Sequence, residues 1–153
     1  MGRTVKLRLW SRIAYVDLVH EVAEDLARAA RFSRGAALNI GLAVREAFIN
    51  AIKHGNRMDA RKTVEVAFEE RPGLFRVRVR DEGPGFDWEN TDDPLAGDNV
   101  LRSSGRGIFF MKHFVDRVAF LKRRGRGTEV VLEKRLEPVA RAPRGEIMKR
   151  RKP

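Results

Sequence analysis

The sequence predicts an α+β domain, a two-layer α/β sandwich whose mixed, largely antiparallel sheet carries its helices on one face. Three observations lead there. Alternating apolar residues flank short Pro/Gly/Arg turns twice, at 63–80 and at 117–135, and each pair reads as a hairpin. Two helical periods in succession, 13–31 and about 33–54, precede the first hairpin. The full order is strand, helix, helix, strand, strand, loop, helix, strand, strand. It argues against a doubly wound parallel sheet.

Each element has its own justification. Residues 5–10 alternate Val5, Leu7 and Leu9 against Lys6 and Arg8, which predicts a half-buried strand. Ser11 is the expected N-cap of the first helix. There Val16, Val19, Ala23, Leu26 and Ala30 recur at three- and four-residue steps. Ser33 caps the second helix, which stops at Gly55-Asn56. Val64, Val66 and Phe68, then Phe75, Val77 and Val79, alternate on either side of Arg71-Pro72-Gly73. Residues 86–104 are polar, contain Pro94 and Gly97 and lack a period; a loop that long is often functional. A third helix is expected over 107–114, before the second hairpin around Gly125-Arg126-Gly127.

The chain has 153 residues, of which 42% are hydrophobic and 35% charged, as in an ordinary globular protein of one domain. It lacks an apolar run of about eighteen residues, so a membrane span is not expected. The first ten residues lack the apolar core of a signal peptide. The absence of cysteine excludes disulfides and thiolate metal sites and fits a cytoplasmic protein. Only His20, His54 and His113 are present, too scattered for a zinc cluster. Of the net charge of +11, residues 138–153 carry six basic side chains and one acid. That Pro/Arg-rich tail is expected to be disordered, leaving 1–137 as the folded domain. The basic charge suits nucleic acid, a membrane surface or an acidic protein, but no stacking or reading motif favours nucleic acid.

The chemistry-bearing residues fall in three segments. The helix around LAVREAFINAIKHG is apolar on nearly every side, yet carries Glu46 and Asn50 one turn apart on one face. A carboxylate in such a helix needs compensation: an arginine partner would supply it, and so would a ligand. Asn50 offers a hard amide oxygen suited to Mg2+ that phosphates and waters complete, or else satisfies nearby backbone. Asp81 ends a strand and is followed by Gly83 and Gly85. The glycines allow close ligand approach, and the carboxylate can accept from an exocyclic amine, selecting adenine over guanine. A plain strand-ending turn has the same pattern. Gly105-Arg106-Gly107 precedes the third helix, where free N–H groups and the positive helix end favour phosphate, although a simple helix entry also uses such glycines. The P-loop pattern is absent.

Taken together, REAFINAIKHG, RDEGPGFD, SSGRGIFFMKHFVD and GTEVVLEK resemble the GHKL (Bergerat-fold) ATPase superfamily, and within it the bacterial anti-sigma factor serine/threonine kinases. The similarity runs to about Leu136. It implies an ATP- and Mg2+-dependent kinase in which Glu46 is the general base and Asn50 the Mg2+ ligand. Asp81 would hold the adenine amine, Gly83 and Gly85 would shape its pocket, and Thr128 would support that contact. Gly105, Arg106 and Gly107 would meet the phosphates, and residues 86–104 would form the ATP lid. The partners implied are an anti-sigma-factor antagonist, phosphorylated on serine, and a sigma factor; family members are often dimers. A switch kinase acting on a regulator without binding sigma is the neighbouring reading, and a non-catalytic ATP-dependent binding module the more distant one. Arg45 stands where the family has a small polar residue, and the basic tail lies outside its pattern.

Overall fold

The computed structural model describes residues 2–84, 103–124 and 126–137. Within them lie β1 (Arg3–Trp10), a 3-10 turn (Ile13–Tyr15), α1 (Val16–Ala29), α2 (Arg34–Asn50) and a π-helical turn (Ala51–Gly55). Next come β2 (Thr63–Arg71), β3 (Leu74–Arg80), α3 (Ser103–Phe114), β4 (Arg117–Lys122) and β5 (Thr128–Arg135). The strands make one sheet of order β1-β2-β3-β5-β4. All four pairings are antiparallel, so among the described residues the sheet is not mixed but wholly antiparallel. The α+β class and both hairpins stand as the sequence predicts. Inserting β5 beside β3, with β4 outside it, leaves β1 and β4 as the edges.

The register separates two faces. Leu7, Val66, Val79 and Val130 run across one row, and Val5, Phe68, Val77 and Leu132 across a parallel one. These rows, with Val64 and Phe75, turn toward the helices and are buried, apart from the partly covered Leu7 and the exposed Val5 of the edge strand. Each fully buried Val, Leu or Phe contributes about 1.5–3 kcal/mol, so this face dominates the stability of the domain. The opposite face is charged. Arg76, Arg78 and Arg80 of β3 lie between Glu65 and Glu69 of β2 and Glu129 and Glu133 of β5. Arg76 reaches Glu133 at 2.7 Å, Arg80 reaches Glu65 and Glu129 at 3.3 Å, and Arg78 pairs with Glu69. The arginine stems cover Glu69, whose side chain is only 7% exposed. Alternating acidic and basic strands thus solvate this face with their own counter-charges.

α1 packs on α2 through Val16, Val19, Ala23 and Ala27, one stripe at three- and four-residue spacing. The expected Ser11 cap is not made. Ser11 is buried, and Tyr15 precedes α1 without a side-chain cap bond, because the 3-10 turn intervenes. At its other end α1 closes with Phe32 N–H donating to Ala27 O (3.1 Å) and Arg31 N–H to Arg28 O (2.9 Å). This double bond pattern forces Arg31 to φ 70°, a left-handed position usually given to glycine. Ser33 caps α2 as predicted, its Oγ accepting from Ala36 N–H at 3.2 Å. α3 begins at Ser103, earlier than expected, so Gly105-Arg106-Gly107 lies inside the helix and does not precede it. Gly85, residues 86–102 of the expected lid and the tail 138–153 lie outside the described residues. No described helix is long and apolar enough to cross a membrane.

Candidate functional site

The last two turns of α2 form one wall of a cleft. Leu42, Arg45, Glu46, Ile49 and Asn50 are half-buried in a stripe at three- and four-residue steps, while Ala43, Val44, Ala47 and Phe48 are fully covered. Glu46 is therefore not sealed in an apolar interior: its side chain is 26% exposed, and Arg45 Nη1 lies 3.4 Å from its Oε1. The arginine partner and the open stripe are both present. The sequence overstated the burial because it showed the apolar residues of α2 but not which of them other elements would cover.

Gly107 of α3 comes against this wall. A Cβ there would sit 3.0 Å from Glu46 Oε2 and 3.7 Å from both amide atoms of Asn50. With no side chain, the buried Gly107 lets α3 approach the carboxylate and amide together. Gly107 lies a full turn inside the helix, whereas Gly105 falls in the first turn, where N–H groups lack intrahelical acceptors. Arg106 is exposed on α3.

The α-helical ladder of α2 then widens. Asn56 N–H donates to Ala51 O at 2.7 Å, five residues back, which closes the π-turn and carries the chain toward the sheet. Gly55, at its end, meets Asp81: any Cβ on Gly55 would overlap the Asp81 Oδ2 atom. Asp81 is buried at the end of β3, and its Oδ1 accepts from Gly83 N–H (3.0 Å) and Thr128 N–H (3.1 Å). Its own N–H donates to Thr128 O at 3.1 Å. Burial pushes the Asp81 carboxyl above the ordinary carboxylate range, and the two N–H bonds oppose that rise without cancelling it. Gly83 packs on the Gly55 carbonyl so closely that a Cβ would collide with it. Gly127, at φ 92°, does the same against Asp81 O. Three glycines from three loops thus close around one carboxylate.

Asn50, His54, Gly55, Asp81 and Thr128 line the cleft with the apolar side chains of Ile108, Phe120 and Val130. Its inner end offers a backbone-held carboxylate amid apolar surface, and its outer end an amide, a second carboxylate and a close helix. Partial burial and the neighbouring Lys53 hold the His54 ring below the usual imidazole pKa. Among the expected residues, Asn50, Asp81 and Thr128 meet in the cleft, Gly83 backs it, and Glu46 and Gly107 stand at its rim. Sequence reasoning missed Gly55, Gly127, His54, Asn56 and Glu82. The one signal available was that Gly55-Asn56 ends a helix five residues after Asn50.

Comparison with known proteins agrees with this geometry. The pattern of the histidine kinase-like ATPase domain family matches residues 9–134. The anti-sigma F factor of Geobacillus kaustophilus (strain HTA426) is 36% identical over 95 residues, 61% of this chain and 65% of that protein. The serine-protein kinase RsbW of Staphylococcus epidermidis is 27% identical over 128 residues, covering 79% of this chain and 80% of that one. RsbW of Listeria monocytogenes serovar 1/2a is 29% identical over 151 residues, 93% and 96% of the two chains. The chain spans just under two thirds of the Geobacillus protein it matches. A crystal structure of the RsbU and RsbW domains of a Mycobacterium tuberculosis protein superposes with a TM-score of 0.62 at 18% identity, over 87% of this chain and 32% of that one; it speaks to the fold alone. From the family match over most of its length and the cleft built by α2, β3, β5 and α3, the chain belongs to the histidine kinase-like ATPase domain family, of the GHKL type, and binds ATP as such domains do.

Proposed function

We propose that this protein is an anti-sigma factor serine-protein kinase, which binds ATP with Mg2+ and transfers the terminal phosphoryl group to a serine of an anti-sigma-factor antagonist, so controlling a sigma factor. The observation that carries the reading is the meeting of Gly107 with Glu46 and Asn50 at one end of the cleft whose other end holds Asp81. The names of the relatives support the kinase and sigma assignments.

Each residue has a task in this reading. Asp81 accepts from the adenine amine; its Oδ1 is already committed to Gly83 and Thr128, which leaves Oδ2 for the base. Gly83 and Gly85 shape the base pocket, and Thr128 fixes the carboxylate. Gly105, Arg106 and Gly107 bring α3 to the phosphates. Asn50 is the protein ligand for Mg2+. The donor set fits that ion: among the described residues no three acidic or histidine side chains gather, so the amide oxygen would be completed by phosphate and water oxygens, as Mg2+ prefers. Bound there, the ion supplies charge neutralisation of the triphosphate. Glu46 accepts the serine proton during transfer, and Arg45 beside it holds the carboxylate at the rim.

The test is transfer of label from ATP to a partner captured from the source cell, comparing wild type with Glu46→Gln. The variant keeps shape and hydrogen bonding but loses basicity. ATP affinity is expected to stay near wild type while transfer falls about a hundredfold to ten-thousandfold. Equal labelling by both proteins would remove Glu46 as the base. Capture of a sigma factor with no labelled partner would favour a binding module, and labelling without sigma capture a switch kinase.

A further inference from the structure

We propose that Asn56 is a positioning residue that sets base selectivity, because its side chain fixes the distance between the end of the π-turn and the Asp81 turn; this rests on the ATP-site reading above. Asn56 is completely buried. Its Nδ2 donates to Thr63 O at 2.9 Å, and its Oδ1 accepts from Glu82 N–H at 2.8 Å. Glu82 returns the connection, its Oε2 accepting from Thr63 N–H at 2.7 Å. Three hydrogen bonds therefore lock the start of β2, the residue after Gly55 and the residue after Asp81 into one closed ring.

The ring encloses the tightest contacts of the cleft. Gly55 lies against the Asp81 carboxylate and Gly83 against the Gly55 carbonyl, both closer than any side chain permits. Nothing in those glycines holds them together; contact without a bond only limits approach from one side. Asn56 and Glu82, each next in sequence to one of the contacting residues, supply the attraction. The segment that follows is bent sharply, with Arg57 at φ 53° and Met58 at φ 61°. Two consecutive left-handed non-glycine residues persist only where the surroundings over-determine them. With the ring opened, the π-turn is free to draw away from β3, and the Asp81 Oδ2 atom loses its fixed height in the cleft. Binding of a base through one directed hydrogen bond depends on that height, whereas the phosphate end, built by α2 and α3, does not.

The experiment measures ATP and GTP affinity with Mg2+ by calorimetry, steady-state ATP kinetics and thermal melting. It uses the full chain and the variants Asn56→Ala, Glu82→Ala, Asp81→Asn and, as a control in the same loop, Arg61→Ala, whose exposed side chain bonds to Asp59. Asn56→Ala is expected to weaken ATP binding about ten-fold and to narrow the preference for ATP over GTP, with turnover at saturating ATP within about two-fold of wild type. Glu82→Ala, on a partly exposed residue, is expected to shift both quantities in the same direction by a smaller factor. Should Asn56→Ala fail to fold, Glu82→Ala decides the matter alone. A lowered melting temperature with unchanged affinities and preference would make Asn56 merely structural and overturn the proposal. If wild type does not bind ATP, or Asp81→Asn binds it equally well, the ATP-site reading fails and takes the proposal with it. Loss of selectivity in Asp81→Asn but in neither ring variant overturns the proposal alone.

Discussion

Replacing Asp81 by asparagine should separate stability from function. The substitution is isosteric, and an amide oxygen in place of Oδ1 keeps both the Gly83 and the Thr128 N–H bonds. Bonds to a charged acceptor contribute about 1.5–3 kcal/mol and neutral ones about 0.5–1.5, so each weakens by about 1 kcal/mol. Against this, the variant no longer buries a charge, the same burial that raises the Asp81 pKa. The two effects oppose each other, and the melting temperature is expected to change little. Nucleotide affinity has no such compensation. The amide nitrogen replaces Oδ2, presenting a donor to the donor amine of adenine. One lost charge-assisted bond and one buried unsatisfied donor together cost about 2–4 kcal/mol, or a thirty-fold to thousand-fold weaker Kd for ATP. Calorimetric titration of ATP with Mg2+, beside a thermal melt of each protein, reads both numbers. An ATP Kd within about three-fold of wild type would refute the adenine contact. The pH dependence carries the same sign. In the folded protein Asp81 has a raised pKa, so the cost of burying its charge is fully present above that value and disappears below the ordinary carboxylate pKa. Stability from this group therefore increases as pH falls through that window. ATP affinity moves the other way, because the proton occupies the free Oδ2, and Asp81→Asn should lack this acid limb.

Two further outcomes follow from the structure, beside the loss of transfer expected in Glu46→Gln. Gly107→Ala should raise or preserve the melting temperature, since a mid-helix glycine costs up to about 1 kcal/mol relative to alanine. The same methyl would sit 3.0 Å from Glu46 Oε2 and displace the carboxylate, so phosphoryl transfer should fall about ten-fold or more with ATP affinity less affected; an active, more stable variant would contradict that placement. Arg31→Gly should stabilise the domain, because Arg31 holds φ 70° at a cost of about 1–2 kcal/mol that glycine avoids, less the entropy glycine loses on folding. A net gain near 1 kcal/mol appears as a melting temperature raised by about 2–4 °C, and a lowered value would show that the Arg31 side chain contributes binding energy of its own.

Local pattern determined most of the elements by itself. Alternation in 63–80 and 117–135, the Ser33 cap and the α1 stripe depend on which neighbours along the chain are apolar, and those periods survive in the folded domain. The order Glu46, Asn50, Asp81, Gly83, Gly107, Thr128 was legible for the same reason: each residue type carries its chemistry wherever it lies. Contact was not legible. In the sequence Gly107 reads as a helix start, because nothing before it marks Ser103 as the beginning, and its packing against Glu46 needs two helices in place. The burial of Glu46 was overstated for a similar reason, since the covering elements of α2 leave one stripe open. Insertion of β5 between β3 and β4 is what brings Thr128 and Gly127 to Asp81, across a chain separation that no local rule spans. Asn56 shows the limit most plainly. As a sequence letter it marks the end of a helix; its two side-chain bonds, to residues seven and twenty-six positions away, exist only once the sheet has formed. Periodicity fixes what a segment turns toward the core, but the distance between two polar atoms from different segments is a property of the closed fold.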